Sequence, residues 1–147
     1  MIFRPLNIQD TNEIDFVMEI DYQIPSTFDA WHVVSDEHKQ NRKIELSKLT
    51  EKDFFIVCEL DEKLIGFHYL QITKWNSQIA MINTTWVSPL HRGKKIAIQM
   101  KKLAEEWAKS KGVERILTGV HIDNAPMNKI NQESGFILRT NGYMKKI

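Results

Sequence analysis

The stretch TTWVSPLHRGKKIA, residues 84–97, places Arg92, Lys94 and Lys95 around Gly93 where an apolar run gives way to a helical pattern. A helix start is already electropositive, because its first N–H groups have no intrahelical acceptor, and acidic side chains normally gather there. Three cations at that point suit a bound anion better than they suit the helix. Gly93 lets a ligand approach the backbone closely. The stretch therefore reads as a phosphate site at a helix N-terminus, with a pyrophosphate to match the cations. The bland alternative is three solvated cations on a helix start, each tolerated at a cost of about 0.3 kcal/mol or more.

A second constellation is NAPMNKINQESGF, residues 124–136. On a helix capped by Asn124, residues Met127, Ile130 and Ser134 fall on the inward face, with Asn131 on or beside it. Asn124, Asn128 and Asn131 share roughly one side at spacings of four and three. They form either an amide-lined edge for a polar ligand arm or one cap, one solvated amide and one locally satisfied amide. A buried amide left without partners costs about 1–3 kcal/mol.

The elements that must carry these groups follow from periodicity. IFRPL is a short strand, and Thr11 caps a helix with apolar residues at Ile14, Val17 and Met18. Residues 21–34 are irregular, and Ser35 caps a second helix. Residues 53–60, 63–73 and 78–87 are three consecutive strands, the first two joined as a hairpin. From Gly93 to Lys111 the pattern is helical, so Lys95 is expected to take helical φ/ψ. Residues 113–120 form a strand, and a short helix follows Asn124. FILRT and YMKKI flank Asn141-Gly142, a strong hairpin turn. The order βααβββαβαββ describes an α+β (mixed α/β) domain spanning 1–147.

Composition excludes several classes. The hydrophobic fraction of 42% and charged fraction of 27% are ordinary for a soluble globular chain. No apolar run is long enough for a membrane span, no signal-peptide core opens the chain, and the lone Cys58 sits in an apolar strand. A cytoplasmic location is expected, without membrane association. Residues 1–87 hold eight Lys and Arg against fourteen Asp and Glu, whereas residues 88–147 hold twelve against five. The basic half suits an anionic ligand, or an acidic partner surface within the same fold. Its cations are not interleaved with aromatics, so no nucleic-acid partner is expected.

Together, residues 84–97 and 124–136 resemble the GNAT superfamily of N-acetyltransferases, and the element order extends that resemblance over the whole chain. The resemblance implies a central, mostly antiparallel twisted sheet with a splayed strand pair and about four helices. It implies acetyl-CoA as cosubstrate and no metal. The family's Arg/Gln-x-x-Gly-x-Gly/Ala loop maps onto Arg92, Lys95 and Ala97, with Gly93 and Lys94 between them. Backbone groups at Trp86 and Val87 would pair with the pantetheine arm, and Asn124 and Asn131 would contact the cofactor. Two positions depart from the pattern. Lys95 replaces the central glycine, and Asn131 stands where many members have a tyrosine that protonates the departing thiolate.

The activity implied is acetyl transfer to a primary amine, on a small molecule or a peptide, by direct attack in a ternary complex. A non-catalytic CoA-binding or regulatory domain of the same fold is the alternative, and a homodimer is compatible with either. The base that deprotonates the amine is sought among His121, Asp123 and His68. Asn131 would serve only as a hydrogen-bonding group on the thiolate side. The acceptor is expected among residues 20–45 and 138–144, where Asp21, Asp29, Asp36 and Glu37 with Tyr22, Phe28 and Trp31 suit a cationic amine.

Overall fold

A computed structural model of the chain describes residues 1–140 and 142–147. The chain runs β1 (Ile2–Pro5), α1 (Thr11–Asp21), α2 (Asp36–Leu46), β2 (Asp53–Leu60), β3 (Lys63–Ile72), β4 (Ile79–Val87), α3 (Ile96–Ser110), β5 (Arg115–Thr118) and α4 (Ala125–Glu133), with 3-10 turns at Pro25–Thr27 and Pro89–His91. Five strands form one sheet in sequence order. All neighbours are antiparallel except β4 and β5, which are parallel and joined by α3. No helix among the described residues is long and apolar enough to cross a membrane.

β3 shows why the sheet is covered on both faces. Its alternate residues Phe67 and Tyr69 pack with Phe55, Val57 and the α1 stripe Ile14, Val17 and Met18. The residues between and beyond them turn to the other face, where Leu70 and Ile72 meet Ala104 and Ala108 of α3. This is the period-two pattern of a strand buried on both sides. Phe67, Tyr69 and Leu70 are fully enclosed.

Several boundaries differ from the sequence reading. Asp10, not Thr11, caps α1, accepting from the N–H groups of Asn12 and Glu13. Ser35 and Asn124 cap as expected, accepting from His38 N and Met127 N. α3 begins at Ile96 rather than Gly93, because Gly93 (φ 77°) and Lys95 (φ 62°) are left-handed and cannot propagate a right-handed helix. β5 keeps only Arg115–Thr118 of the strand expected over 113–120, since its pairing with β4 ends at Ile82–Thr118.

The element order ends at α4 among the described residues. Residues 136–140 and 142–147 form no strand, and Asn141 of the expected turn lies outside the described residues. The Asn-Gly signal is local, and a hairpin needs a third strand or a helix to bury its apolar face. Here Ile137 and Leu138 remain 78% and 84% exposed.

Candidate active site

The site begins with a bulge. β3 and β4 pair Tyr69 with Thr84 and Leu70 with Ile82, so Asn83 has no partner of its own. A bulge of this kind bends the strand and strengthens its twist. β4 pairs with β5 only from Ile79 to Ile82. Beyond Ile82 the two parallel strands part, leaving a wedge along residues 83–87.

Strand parity decides which backbone groups face the wedge. Ser88 N donates to Ile65 O at 2.8 Å, so Ser88 belongs to the set directed at β3, as do Trp86 and Thr84 by alternation. Thr85 and Val87 then direct their N–H and C=O groups to the open side. Of the two residues read from the sequence, Val87 offers backbone to the wedge. Trp86 contributes its ring, stacked on Phe67 at 5.3 Å. The Val87 carbonyl accepts from Arg92 Nε at 3.1 Å, which ties the loop back to the strand.

The loop then turns sharply into α3. Gly93 and Lys95 both have positive φ, and no side chain caps the helix. A Cβ added at Gly93 would meet nothing within 4 Å, so the glycine answers to backbone conformation rather than crowding. Left-handed residues alternating with ordinary ones turn successive N–H groups toward one point, forming a nest for an anion. The first-turn donors of α3 face the same mouth. Arg92, Lys94 and Lys95 are exposed around it, without an ion pair among the described residues. Ala97 is small and buried beneath. This donor set fits a pyrophosphate.

Across the wedge, the three amides of α4 divide their work. Asn124 Oδ1 is spent on the cap at 3.2 Å from Met127 N. Asn128 Nδ2 donates to the carbonyls of Asn124 (3.0 Å) and His121 (3.1 Å), so it braces the turn into the helix. Asn131 is buried, and its Oδ1 has no partner among the described residues. The amide edge therefore reduces to the Asn124 Nδ2 group and Asn131.

The three candidate bases lie in different places. His121 follows β5, stacks on Phe28 of the α1–α2 connection at 6.1 Å, and accepts from Asp123 N at 3.2 Å. Asp123 is largely exposed, its carboxylate 3.7 Å from His121 Nδ1. His68 is fully buried on the α3 face, with Nδ1 2.8 Å from Thr85 Oγ1. Burial, assisted by the nearby Lys101 ammonium, pushes its pKa down to about 3. A group that refuses a proton at pH 7 is no general base there, so His68 leaves the list.

On the opposite face, a groove of about 640 Å³ runs from the end of α1 past α2 to the bulge at Asn83 and Thr84. Of the acidic and aromatic side chains expected there, Asp21 and Tyr22 line it. Asp21 is neutralised, accepting from Arg42 Nε at 2.8 Å, while Arg42 Nη1 also holds Glu45 at 2.8 Å. Asp29 caps a turn by accepting from Trp31 N. Sequence reasoning missed His32, Arg42 and Lys74, which join the groove from the α1–α2 connection, α2 and the β3–β4 connection. Non-local packing gathers them, and no sequence spacing marks them. Arg42 also faces the Tyr69 ring at 5.3 Å, and the Tyr69 hydroxyl donates to Asp53 at 2.7 Å. Burial works against the Asp53 charge, but donors from Thr50, Tyr69 and Gln71 hold its carboxyl below the usual range.

A wedge between parallel strands, an anion nest at its mouth and a polar groove meeting it at a bulge define an acyl-CoA-type transferase fold. Residues 17–136 match the model of the Acetyltransferase (GNAT) family, and the chain belongs to that family. Acetyl-CoA is accordingly its acetyl donor. Among curated proteins, none matches the chain by sequence. Solved structures do. A candidate acetyl transferase from Pyrococcus furiosus is 29% identical with a TM-score of 0.72, over 93% of this chain and 95% of that one. The PaiA N-acetyltransferase from Thermoplasma acidophilum, solved with coenzyme A, is 23% identical with a TM-score of 0.70, covering 96% and 92%. The BH1408 protein from Bacillus halodurans, solved as a point mutant, is 16% identical with a TM-score of 0.81, covering 100% and 99%.

Proposed function

We propose that this chain, as one domain over residues 1–147, transfers the acetyl group of acetyl-CoA to a primary amine by direct attack in a ternary complex. One observation carries the reading. The wedge edge of β4 and the groove on the α1–α2 face meet at the same bulge, Asn83–Thr84. A donor in the wedge and an acceptor in the groove would come together there, which is the positioning that bimolecular transfer needs. An aminoglycoside N-acetyltransferase solved with a bisubstrate analog and a glucosamine-6-phosphate N-acetyltransferase from Arabidopsis thaliana share this fold at 18% identity. Their names support an amine as the acceptor class.

The roles follow from position. The amides of residues 93–97 and the side chains of Arg92, Lys94 and Lys95 take the pyrophosphate. Thr85 and Val87 pair with the pantetheine arm as an added strand does. When bound, acetyl-CoA supplies an acyl carbon activated as a thioester. The Thr85 N–H, beside the bulge and directed to the wedge, polarises the acyl oxygen. His121, at the junction of β5 and the Phe28 loop, removes the amine proton through Nδ1, exchanging its contact with Asp123 N for the amine. The amine nitrogen bonds to the acyl carbon, the carbon–sulfur bond breaks, and the sulfur leaves with that electron pair. Asn131 cannot act as an acid. It steadies the leaving thiolate by hydrogen bonding, which suffices for a thiol with a pKa of about 8.5.

The test is release of free CoA thiol from acetyl-CoA across a panel of primary amines, with product mass as confirmation. Amine-dependent release with a gain of one acetyl group supports the reading. Tight acetyl-CoA binding with no amine-dependent release would leave a binding domain instead.

A further inference from the structure

We propose that the cavity between α3, the C-terminal end of α4 and the α3-side face of β3–β5 binds a short carboxylate, anchored by the Lys101 ammonium and the His68 imidazole. The cavity has a volume of about 200 Å³, and most of its wall is apolar, from Leu70, Ile82, Ile98, Ala104, Ile116 and Phe136. Of the polar side chains in the lining, His68 and Lys101 are the two that are buried, and neither is paired with a carboxylate among the described residues. His68 is 0% exposed, and its Nε2 has no hydrogen-bond partner among the described residues. Lys101 is 6% exposed and pairs with no carboxylate among the described residues. Its Nζ lies 5.3 Å from the Phe136 ring centroid instead. A buried ammonium without a counter-charge is among the least favourable groups an interior can hold, so its retention points to an anion.

The acidic side chains nearby do not supply that anion. Glu105 and Glu133 line the cavity, but each is directed to a lysine of its own helix, Lys109 at 2.7 Å and Lys129 at 3.9 Å. Lys102 lines it as well and is exposed. The chemistry of the occupant follows from the anchors. One buried cation calls for a monoanion, and apolar walls call for a short hydrocarbon body. The volume is too small for a nucleotide or a drug-sized ligand. His68 holds no charge of its own, so it serves as a hydrogen-bond donor. When the Thr85 hydroxyl donates to Nδ1 across their 2.8 Å contact, Nε2–H is left to donate to a carboxylate oxygen. Thr85 belongs to the split segment of β4. An occupant would therefore be joined through two hydrogen bonds to the strand that borders the wedge.

Such a carboxylate has two sources, a free short-chain acid or the far end of an acyl group on CoA. Only the second rests on the acetyl-transfer reading. Thermal denaturation of the whole chain in propionate or butyrate, against chloride at equal ionic strength, tests the first. Turnover of succinyl-CoA against acetyl-CoA tests the second. Wild type should show a saturable rise in Tm, about 4 °C at ten times Kd, or a clear use of succinyl-CoA. Lys101→Met should weaken either response at least tenfold while acetyl-CoA turnover stays as it is. Lys102→Met should leave both responses intact. Circular dichroism confirms that Lys101→Met is folded. Carboxylates acting only as chloride does, with no acyl preference that depends on Lys101, would overturn the proposal and leave water as the occupant. If the carboxylate-dependent Tm rise persists while acetyl-CoA is not turned over, the acetyl-transfer reading falls and this one stands.

Discussion

Lys95→Gly should stabilise the protein, although glycine near a helix start usually weakens it. Lys95 caps α3 with φ 62° and ψ 16°, in the left-handed region. An L side chain there brings Cβ against the following carbonyl, at about 1–2 kcal/mol. Glycine escapes that clash but loses about 0.5–1 kcal/mol in extra chain entropy on folding. The balance favours the variant by about 0.5–1 kcal/mol, or roughly 2 °C in Tm for a chain of this size. Lys95→Ala keeps the strain and should stay within about 0.5 kcal/mol of wild type. Urea midpoints for all three, with unchanged m-values, make the comparison. If Lys95→Gly instead loses about 1 kcal/mol, as a glycine inside a helix would, residue 95 is helical and the anion nest is misdrawn. Lys95→Glu separates function from fold. Acetyl-CoA affinity should fall at least tenfold, about 1.4 kcal/mol, while the new carboxylate at the helix start keeps stability level or better.

Other outcomes rest on buried and cleft groups. Burial lowers the Lys101 pKa from 10.5 to about 8, so the unfolded chain holds a proton that the folded one releases between those values. Wild-type stability should therefore rise with pH across that window. Lys101→Met should be more stable at pH 7 by up to about 3 kcal/mol, the gap closing above pH 10.5, as denaturation midpoints will show. His68 runs in the same sense at lower pH: its folded value of about 3 lies below the usual 6.5, so stability drains away as pH falls between them. His68→Leu should flatten that acid slope in urea midpoints taken at about pH 4 and pH 7. His121→Ala should cut acetylation at pH 7 about a hundredfold. Its acetyl-CoA affinity, measured by calorimetry, should hold.

Much of this architecture is written locally. Ser35 and Asn124 mark their helices through short side-chain caps, and the apolar residues around Phe67 and Tyr69 mark a strand. The cations around Gly93 mark the loop, because their placement conflicts with the helix end. What escaped the sequence depends on partners distant in the chain. The bulge at Asn83 shows only against the β3 register, and it sets where the wedge opens. β5 stops at Thr118 because β4 has turned away. The left-handed Lys95 breaks the usual preference for glycine, so pattern reading extended the helix through it. Asp21 read as a free carboxylate until packing brought Arg42 onto it. Asn141-Gly142 advertised a hairpin, but turn chemistry alone does not provide the surface on which one would lie.

Amide hydrogen exchange of the chain with and without acetyl-CoA reads the placement of the cofactor residue by residue. Slowed exchange is predicted at residues 93–98, where the donors of the nest and the first turn of α3 converge, and at Thr85 and Val87 on the wedge edge. The amides of Trp86 and Ser88, directed at β3, should change little. Protection confined to other surfaces, or none at acetyl-CoA concentrations up to about a millimolar, where binding is worth only about 4 kcal/mol, would mean that the cofactor does not lie in the wedge.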